Sequence, residues 1–341
     1  MTARIRIRSR HERSWATFAL GLMTLIVGCE KPRSMGDTNQ ILVASTPGVW
    51  SALEPDIKRS LEPQTFTVRN ERVFDVAHTD PSEEGWASLQ ILRQILVIGT
   101  ANDPTVARVL EAYNRDVPPP PSVIQVRNLW AQDQLVTLAL LPEGEEPTIA
   151  RPLVEALGRT YLDQFEEYAR ARMFVTGAHE ELRDSLQRNA GFGLTLPRVY
   201  RYAQLDSTVY LFRNDQPDPS QLIRNVTVDS RPNSEGELDA ETAAQWRAEL
   251  AEQYTHPPQV TDTASEGQSM QLAERPALQI HGIWSNPPNE WPAAGPFIAR
   301  LIRCPDRTFL VDAWLYAPGV AKYEYMYQLN TVLNSFTCAS G

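Results

Sequence analysis

Five histidines, three cysteines and 42 acidic side chains are the groups in this 341-residue chain able to ligate a metal, move a proton or attack a bond. Their spacing matches no catalytic pattern. His78, His179, His256 and His281 are scattered. Ala178-His179-Glu180-Glu181-Leu182 begins like a zinc-binding helix but has no second histidine four positions on. There is no C-x-x-C pair, no G-x-S-x-G elbow, no phosphate-binding loop and no dinucleotide fingerprint. No metal and no cofactor are therefore expected. Asp215 and Asp218 read as parts of a polar hairpin turn. A serine triad is recognised by geometry, not by order along the chain, and His281 and Asp312 would face each other if their strands were neighbours. Neither lies beside a compelling nucleophile. Catalysis is the lesser reading, as an envelope hydrolase of glycan or peptide. Binding is the main one.

The richest stretch for binding is His281-Gly-Ile-Trp284-Ser-Asn-Pro287-Pro288-Asn-Glu-Trp291-Pro292-Ala-Ala-Gly-Pro-Phe297. Rigid, amphipathic Trp and Pro in a loop between two strands make a recognition surface, with His281, Trp284, Trp291 and Phe297 as its candidate residues. Two readings stay open for Trp284 and Trp291: core plug or contact surface. Trp314 and Tyr327 read as packing between sheet and final helix.

The residue that places the chain is Cys29. Arg4, Arg6, Arg8, Arg10 and Arg13 precede an apolar run from Trp15 to Val27, which ends at Ile26-Val27-Gly28-Cys29. As a helix the run spans roughly 20 Å, short of the ~30 Å hydrocarbon core, so it reads as a secretory signal. Its end resembles a bacterial lipobox, which implies diacylglyceryl transfer to the Cys29 thiol, cleavage after Gly28 and acylation of the new amine. Several acyl chains together hold a protein to the bilayer. Residues 29–39 form a tether. The expected location is the bacterial cell envelope, inner or outer membrane unresolved. Removing residues 1–28 takes five Arg and one Glu from 32 basic and 42 acidic side chains, leaving a net charge of −14. That charge argues against nucleic acid as a partner; another envelope protein is the expected one. Cys304 and Cys338 remain, and in an oxidising envelope they point to one disulfide, with two free thiols as the alternative.

These groups need a scaffold. Aliphatic runs at 39–46 and 94–100 predict strands; Asp103-Pro104 predicts a capped helix; Gln132-Asp133 predicts a tight turn between two more strands. A long helical region covers 148–187, with Gly177 as a break. In the second half, strands are predicted at 192–196, 207–213 and 221–228, then a helix over 239–254, a polar loop to about 269, three long strands and a final helix. The class is α+β, with antiparallel sheets flanked by helices in two domains, 40–188 and 189–341.

The order of these motifs resembles a family of bacterial lipoproteins described only as a domain of unknown function (DUF4837). The resemblance runs from "SMGDTNQILVAST" through "FGLTLPRVYRYA" to "IHGIWSNPPNEWPAAGPFIARL" and "KYEYMYQLNTVLNSF". It implies an envelope lipoprotein, with no catalytic residues to carry over. The second half also resembles the Mog1/PsbP-like fold, through the "F-x-L-x-L-P" opening and the terminal "L-x-S-F" at Leu333 to Phe336. That resemblance implies an α/β/α sandwich.

Overall fold

The computed structural model describes residues 30–263 and 265–339; the signal segment and Cys29 lie outside the described residues. The first half comprises β1 (Gln40–Ala44), α1 (Pro47–Leu61), β2 (Gln64–Thr65), β3 (Glu71–Arg72), β4 (Asp75–Thr79), α2 (Trp86–Leu89), β5 (Gln94–Thr100), α3 (Pro104–Ala112), β6 (Ser122–Arg127), β7 (Leu135–Leu141) and α4 (Arg151–Met173). Its sheet has the order β4-β1-β5-β7-β6. β4, β1, β5 and β7 run parallel, and only β6 is antiparallel. The α+β class holds, but this sheet departs from the antiparallel expectation. Its central strands are unbroken aliphatic runs because both faces are covered, one by α1 and α4, the other by α3 and Trp86. α1 is capped as its sequence implies: Thr46 accepts from Val49 N, and Pro47 opens the helix. Asp103 is different. It makes no cap bond to α3 but turns back to accept from Thr100 N at 2.7 Å.

Gly177, with φ of 80°, lies in the turn that breaks the long helical region between α4 and the next helix. α5 (Glu180–Asn189) follows, then β8 (Phe192–Gly193), β9 (Arg201–Gln204), β10 (Tyr210–Asn214), β11 (Ile223–Pro232), α6 (Ala240–Tyr254), β12 (Val260–Thr263), β13 (Gln268–Leu272), β14 (Arg275–Ser285), β15 (Ala294–Arg303), β16 (Arg307–Tyr316), α7 (Tyr323–Asn334) and β17 (Thr337–Cys338). Leu182 and Leu186 of α5 pack with Phe192 and Phe336 of the second half, in a cluster that also takes in Met173 at the end of α4. The stretch expected as a polar loop before residue 269 contains β12 and the start of β13. Both pair with β14, because their polar side chains lie on an edge facing water, which periodicity of apolar residues does not register.

The second sheet is antiparallel throughout, in the order β12-β14-β15-β16-β11-β10-β9, with β13 on β14. β14, β15 and β16 alternate strictly. Leu278, Ile280, Trp284, Phe297, Leu310 and Trp314 face α6, while Ile302, Phe309, Val311, Ala313 and Leu315 face α5 and α7. Asp239 caps α6 by accepting from Thr242 N at 2.8 Å. Cys304 and Cys338 are joined as a disulfide with Cα atoms 5.7 Å apart, tying the end of β15 to β17 beyond α7.

The two halves meet along α7. Glu71 accepts from Lys322 N at 2.6 Å and Tyr323 N at 2.9 Å, so a side chain from the β2–β3 hairpin caps a helix some 250 residues later. Tyr323 and Tyr327 lie against Phe165 of α4. Arg172 bridges to Glu324 at 3.0 Å. Tyr327 is thus packed between α7 and the first half, and Trp314 lies on the opposite side of the sheet from α7. Neither fills the space between sheet and final helix that the sequence assigned to both.

Candidate functional site

At the C-terminal end of α6, a cavity of about 440 Å³ lies between the helix, the segment after it and the second sheet. Its size is within the range of small-molecule pockets, ~300–1,000 Å³. Side chains two apart on a strand share a face, so β16 contributes Asp312, Trp314 and Tyr316, and β11 contributes Asn225 and Thr227. Trp284 reaches in from β14, and Trp291 closes the rim from the loop after it.

The walls are aromatic. Trp284 and Trp314 meet edge to face at 5.2 Å, and Trp291 and Tyr316 at 5.8 Å. Trp284 is held hard: its indole N–H crosses β15 to donate to Leu315 O at 3.1 Å. That path passes over Gly295, where a Cβ would collide with Leu315 O and the indole. Trp291 remains 62% exposed, on a loop pinned by Asn286, whose Nδ2 donates to Trp291 O at 2.8 Å.

The floor is polar and buried. Arg247 of α6 is fully buried, its guanidinium 3.8 Å from the centre of the Phe297 ring. Its Nε donates to Asp312 Oδ1 at 3.1 Å, Nη1 to Thr261 Oγ1, and Nη2 to Gln259 Oε1 at 3.0 Å. Burial pushes the Asp312 carboxyl up from its usual range and the Arg247 guanidinium down, and their mutual attraction opposes both shifts. Arg247 keeps its proton, as guanidinium does in proteins. The pair is close to neutral as a unit. Asn225 Nδ2 donates to Thr227 Oγ1 at 3.1 Å. Asp312 Oδ2, Asn225 Oδ1 and Gln259 Nε2 then have no protein hydrogen bond among the described residues. Asp312, Asn225 and Gln259 all line the cavity, so this spare hydrogen-bonding capacity is open to a ligand or water.

Of the four residues proposed from the sequence as a contact surface, the structure exposes one. Trp284 is 3% exposed and Phe297 is fully buried, because both lie on strands with their side chains on the α6 face. His281 lies on the other face of β14, against Phe66 of the first half at 4.3 Å. β14 and β16 are separated by β15, and His281 and Asp312 point to opposite sides of the sheet, so they form no dyad. Asp215 sits in its predicted turn. Burial raises its carboxyl, but Arg213 and Arg201 outweigh that and hold it below the usual range. Among the described residues no group of three metal-ligating side chains occurs, and no helix is long and apolar enough to cross a membrane. A larger recess of about 610 Å³, at the junction of the halves, contains the ion pairs Arg172–Glu324 and Arg72–Asp75.

Arg247 and Asn225 were not singled out from the sequence. A signal for Arg247 existed: it falls on the stripe Ala243-Trp246-Arg247-Leu250 of α6, where a charge must find a buried partner.

The comparisons with known proteins concern this half. Residues 179–335 match the family described as Domain of unknown function (DUF4837). The resemblance drawn from the sequence holds over that span. No curated protein matches the chain. Similar solved structures include PsbP (CyanoP) of Synechocystis sp. PCC 6803, at 9% identity over 44% of this chain and 87% of that one, with a TM-score of 0.33. They also include LpqN, involved in cell envelope biogenesis of Mycobacterium tuberculosis, at 14% identity over 44% and 83%, TM-score 0.29. A protein of Bacteroides thetaiotaomicron VPI-5482 matches at 8% identity over 45% of this chain, TM-score 0.28, and the match spans 46% of that protein.

Proposed function

We propose that this protein is a lipid-anchored, non-catalytic binding module of the bacterial cell envelope, and that its ligand sits in the cavity under Trp291. The observation that carries this reading is the pairing of an aromatic wall with a buried, near-neutral polar floor that has spare hydrogen-bonding capacity. A flat indole or phenol suits the C–H face of a ring, and a floor offering both donors and acceptors suits hydroxyl and amide groups. A neutral glycan segment has both features. The lipobox and the exported-protein disulfide support the location, through Cys29 and the Cys304–Cys338 bridge.

The glycan branch of the hydrolase alternative calls for a second carboxylate roughly 5–9.5 Å from the first. Asp312 is the one acidic residue lining the cavity, and Arg247 already holds it. A purely protein partner is supported less, since burial of Trp284 and Phe297 leaves Trp291 as the exposed aromatic of the loop.

The test is native mass spectrometry of the lipidated protein extracted from its own envelope. A co-purifying neutral species, absent from the Trp291→Ala protein with melting temperature unchanged, is the expected result. No Trp291-dependent species, with one dominant crosslinked protein instead, would return the function to protein assembly. For the anchor, labelled palmitate should enter the wild type and not Cys29→Ala.

A further inference from the structure

A second feature lies on the other face of the same sheet and owes nothing to the cavity under Trp291. Arg300, on β15, is 2% exposed. Its Nε donates to Gln279 Oε1 at 2.9 Å, Nη1 to Asn334 Oδ1 at 2.8 Å and Nη2 to Asn330 Oδ1 at 2.6 Å. All three acceptors are neutral amides. No carboxylate among the described residues pairs with this guanidinium, and burial alone pulls it down, to about 10. It remains charged at neutral pH. A buried charge ordinarily has a counter-ion, as Arg247 has in Asp312. Arg300 has none.

The consequence falls on its partners. Because Gln279 and Asn330 give their oxygens to Arg300, their NH₂ groups are turned away from it, and neither finds an acceptor among the described residues. Both residues line a cavity of about 260 Å³ between β14, α7 and the β2–β3 hairpin. His281 and the hydroxyls of Thr65 and Tyr327 line it as well; Phe66, Ile298 and Met326 supply an apolar side. The lining contains no acidic residue, although the chain as a whole carries a net charge of −10. Burial also lowers the His281 pKa, so the imidazole is neutral at neutral pH and adds no second positive charge.

We infer that this cavity binds a monocarboxylate with a short apolar tail, the carboxylate accepting from Gln279 Nε2 and Asn330 Nδ2 and supplying the missing counter-charge to Arg300 behind them. One uncompensated positive charge matches a monoanion; a dianionic phosphate would need another. The apolar side takes the tail. Since the cavity is roofed by the first half and floored by the second, an occupant would touch both.

Hexanoate and its neutral isostere hexanamide are the probes, titrated into the full-length protein in detergent by calorimetry and thermal unfolding. Hexanoate should bind and raise the melting temperature, and hexanamide should bind at least tenfold more weakly. Asn330→Asp places a carboxylate on Arg300 from within the protein. It should raise the melting temperature without ligand and weaken hexanoate at least tenfold. Gln279→Glu, from the position directly opposite Arg300 in the β14–β15 ladder, should do the same if the first variant folds poorly. Four results would each overturn the inference: equal binding of the two probes, no hexanoate binding, tighter binding of inorganic phosphate than of hexanoate, or hexanoate affinity unchanged in both variants. None of these bears on the Trp291 cavity.

Discussion

Reduction of the Cys304–Cys338 bridge should lower stability by an amount that also reports how the two halves unfold. The cysteines are 34 residues apart. Closing a loop of that length removes roughly 12–13 cal/mol/K of chain entropy from the unfolded state, about 3.8 kcal/mol at 25 °C. Unfolding entropy near the midpoint is about 2.1 cal/mol/K per residue. If all of the roughly 310 described residues unfold together, the transition entropy is about 0.65 kcal/mol/K and the midpoint falls by about 6 °C. If the second half, roughly 160 residues, unfolds alone, the fall is about 11 °C. The contacts along α7, with Glu71 capping the helix and Tyr327 against Phe165, favour the smaller figure. The assay is scanning calorimetry of protein refolded with and without reductant, with thiol status read by alkylation and mass. A midpoint change below about 2 °C with both thiols free would refute the reasoning, since the bridge would then be closing a loop that the unfolded chain already keeps closed.

Other perturbations separate the roles of neighbouring residues. Trp284→Ala should cost about 3–5 kcal/mol, because it empties a packed site and strands Leu315 O, whereas Trp291→Ala should change stability by less than about 0.5 kcal/mol; chemical denaturation of the two variants checks this. Glu71→Ala should cost about 1–2 kcal/mol by uncapping α7, seen as earlier hydrogen exchange at Lys322 and Tyr323. Burial lowers the His281 pKa below its ordinary 6.5, so the unfolded chain binds that proton more readily. Its contribution to stability is complete above about pH 6.5 and is lost as pH falls through the lower folded value. A His281→Gln protein should therefore lose less melting temperature than wild type between pH 7 and 5.

Much of this protein was legible from residue order alone. The α+β class, the Gln132-Asp133 turn, the helix over 239–254 and the long strands β14 to β16 are local signals. Each rests on groups a few residues apart, where hydrogen bonding and side-chain period act without knowledge of the rest of the chain. The parallel pairing of β1, β4, β5 and β7 was not legible: an aliphatic run reads the same in either direction, and only the crossover helices decide. The same limit governed the sites. Trp284 and Trp291 are seven residues apart in one motif, yet one is core and one is rim, because strand β14 ends at Ser285 and the loop that follows leaves the sheet. Asp312 found Arg247 and not His281, since which strand lies between two others, and which face a side chain takes, are set by the assembled sheet. Arg300 shows the point at its sharpest. In sequence it is one basic residue among 32; only the tertiary structure buries it among three amides with no carboxylate, because burial and charge pairing are properties of the packed whole and not of neighbours along the chain.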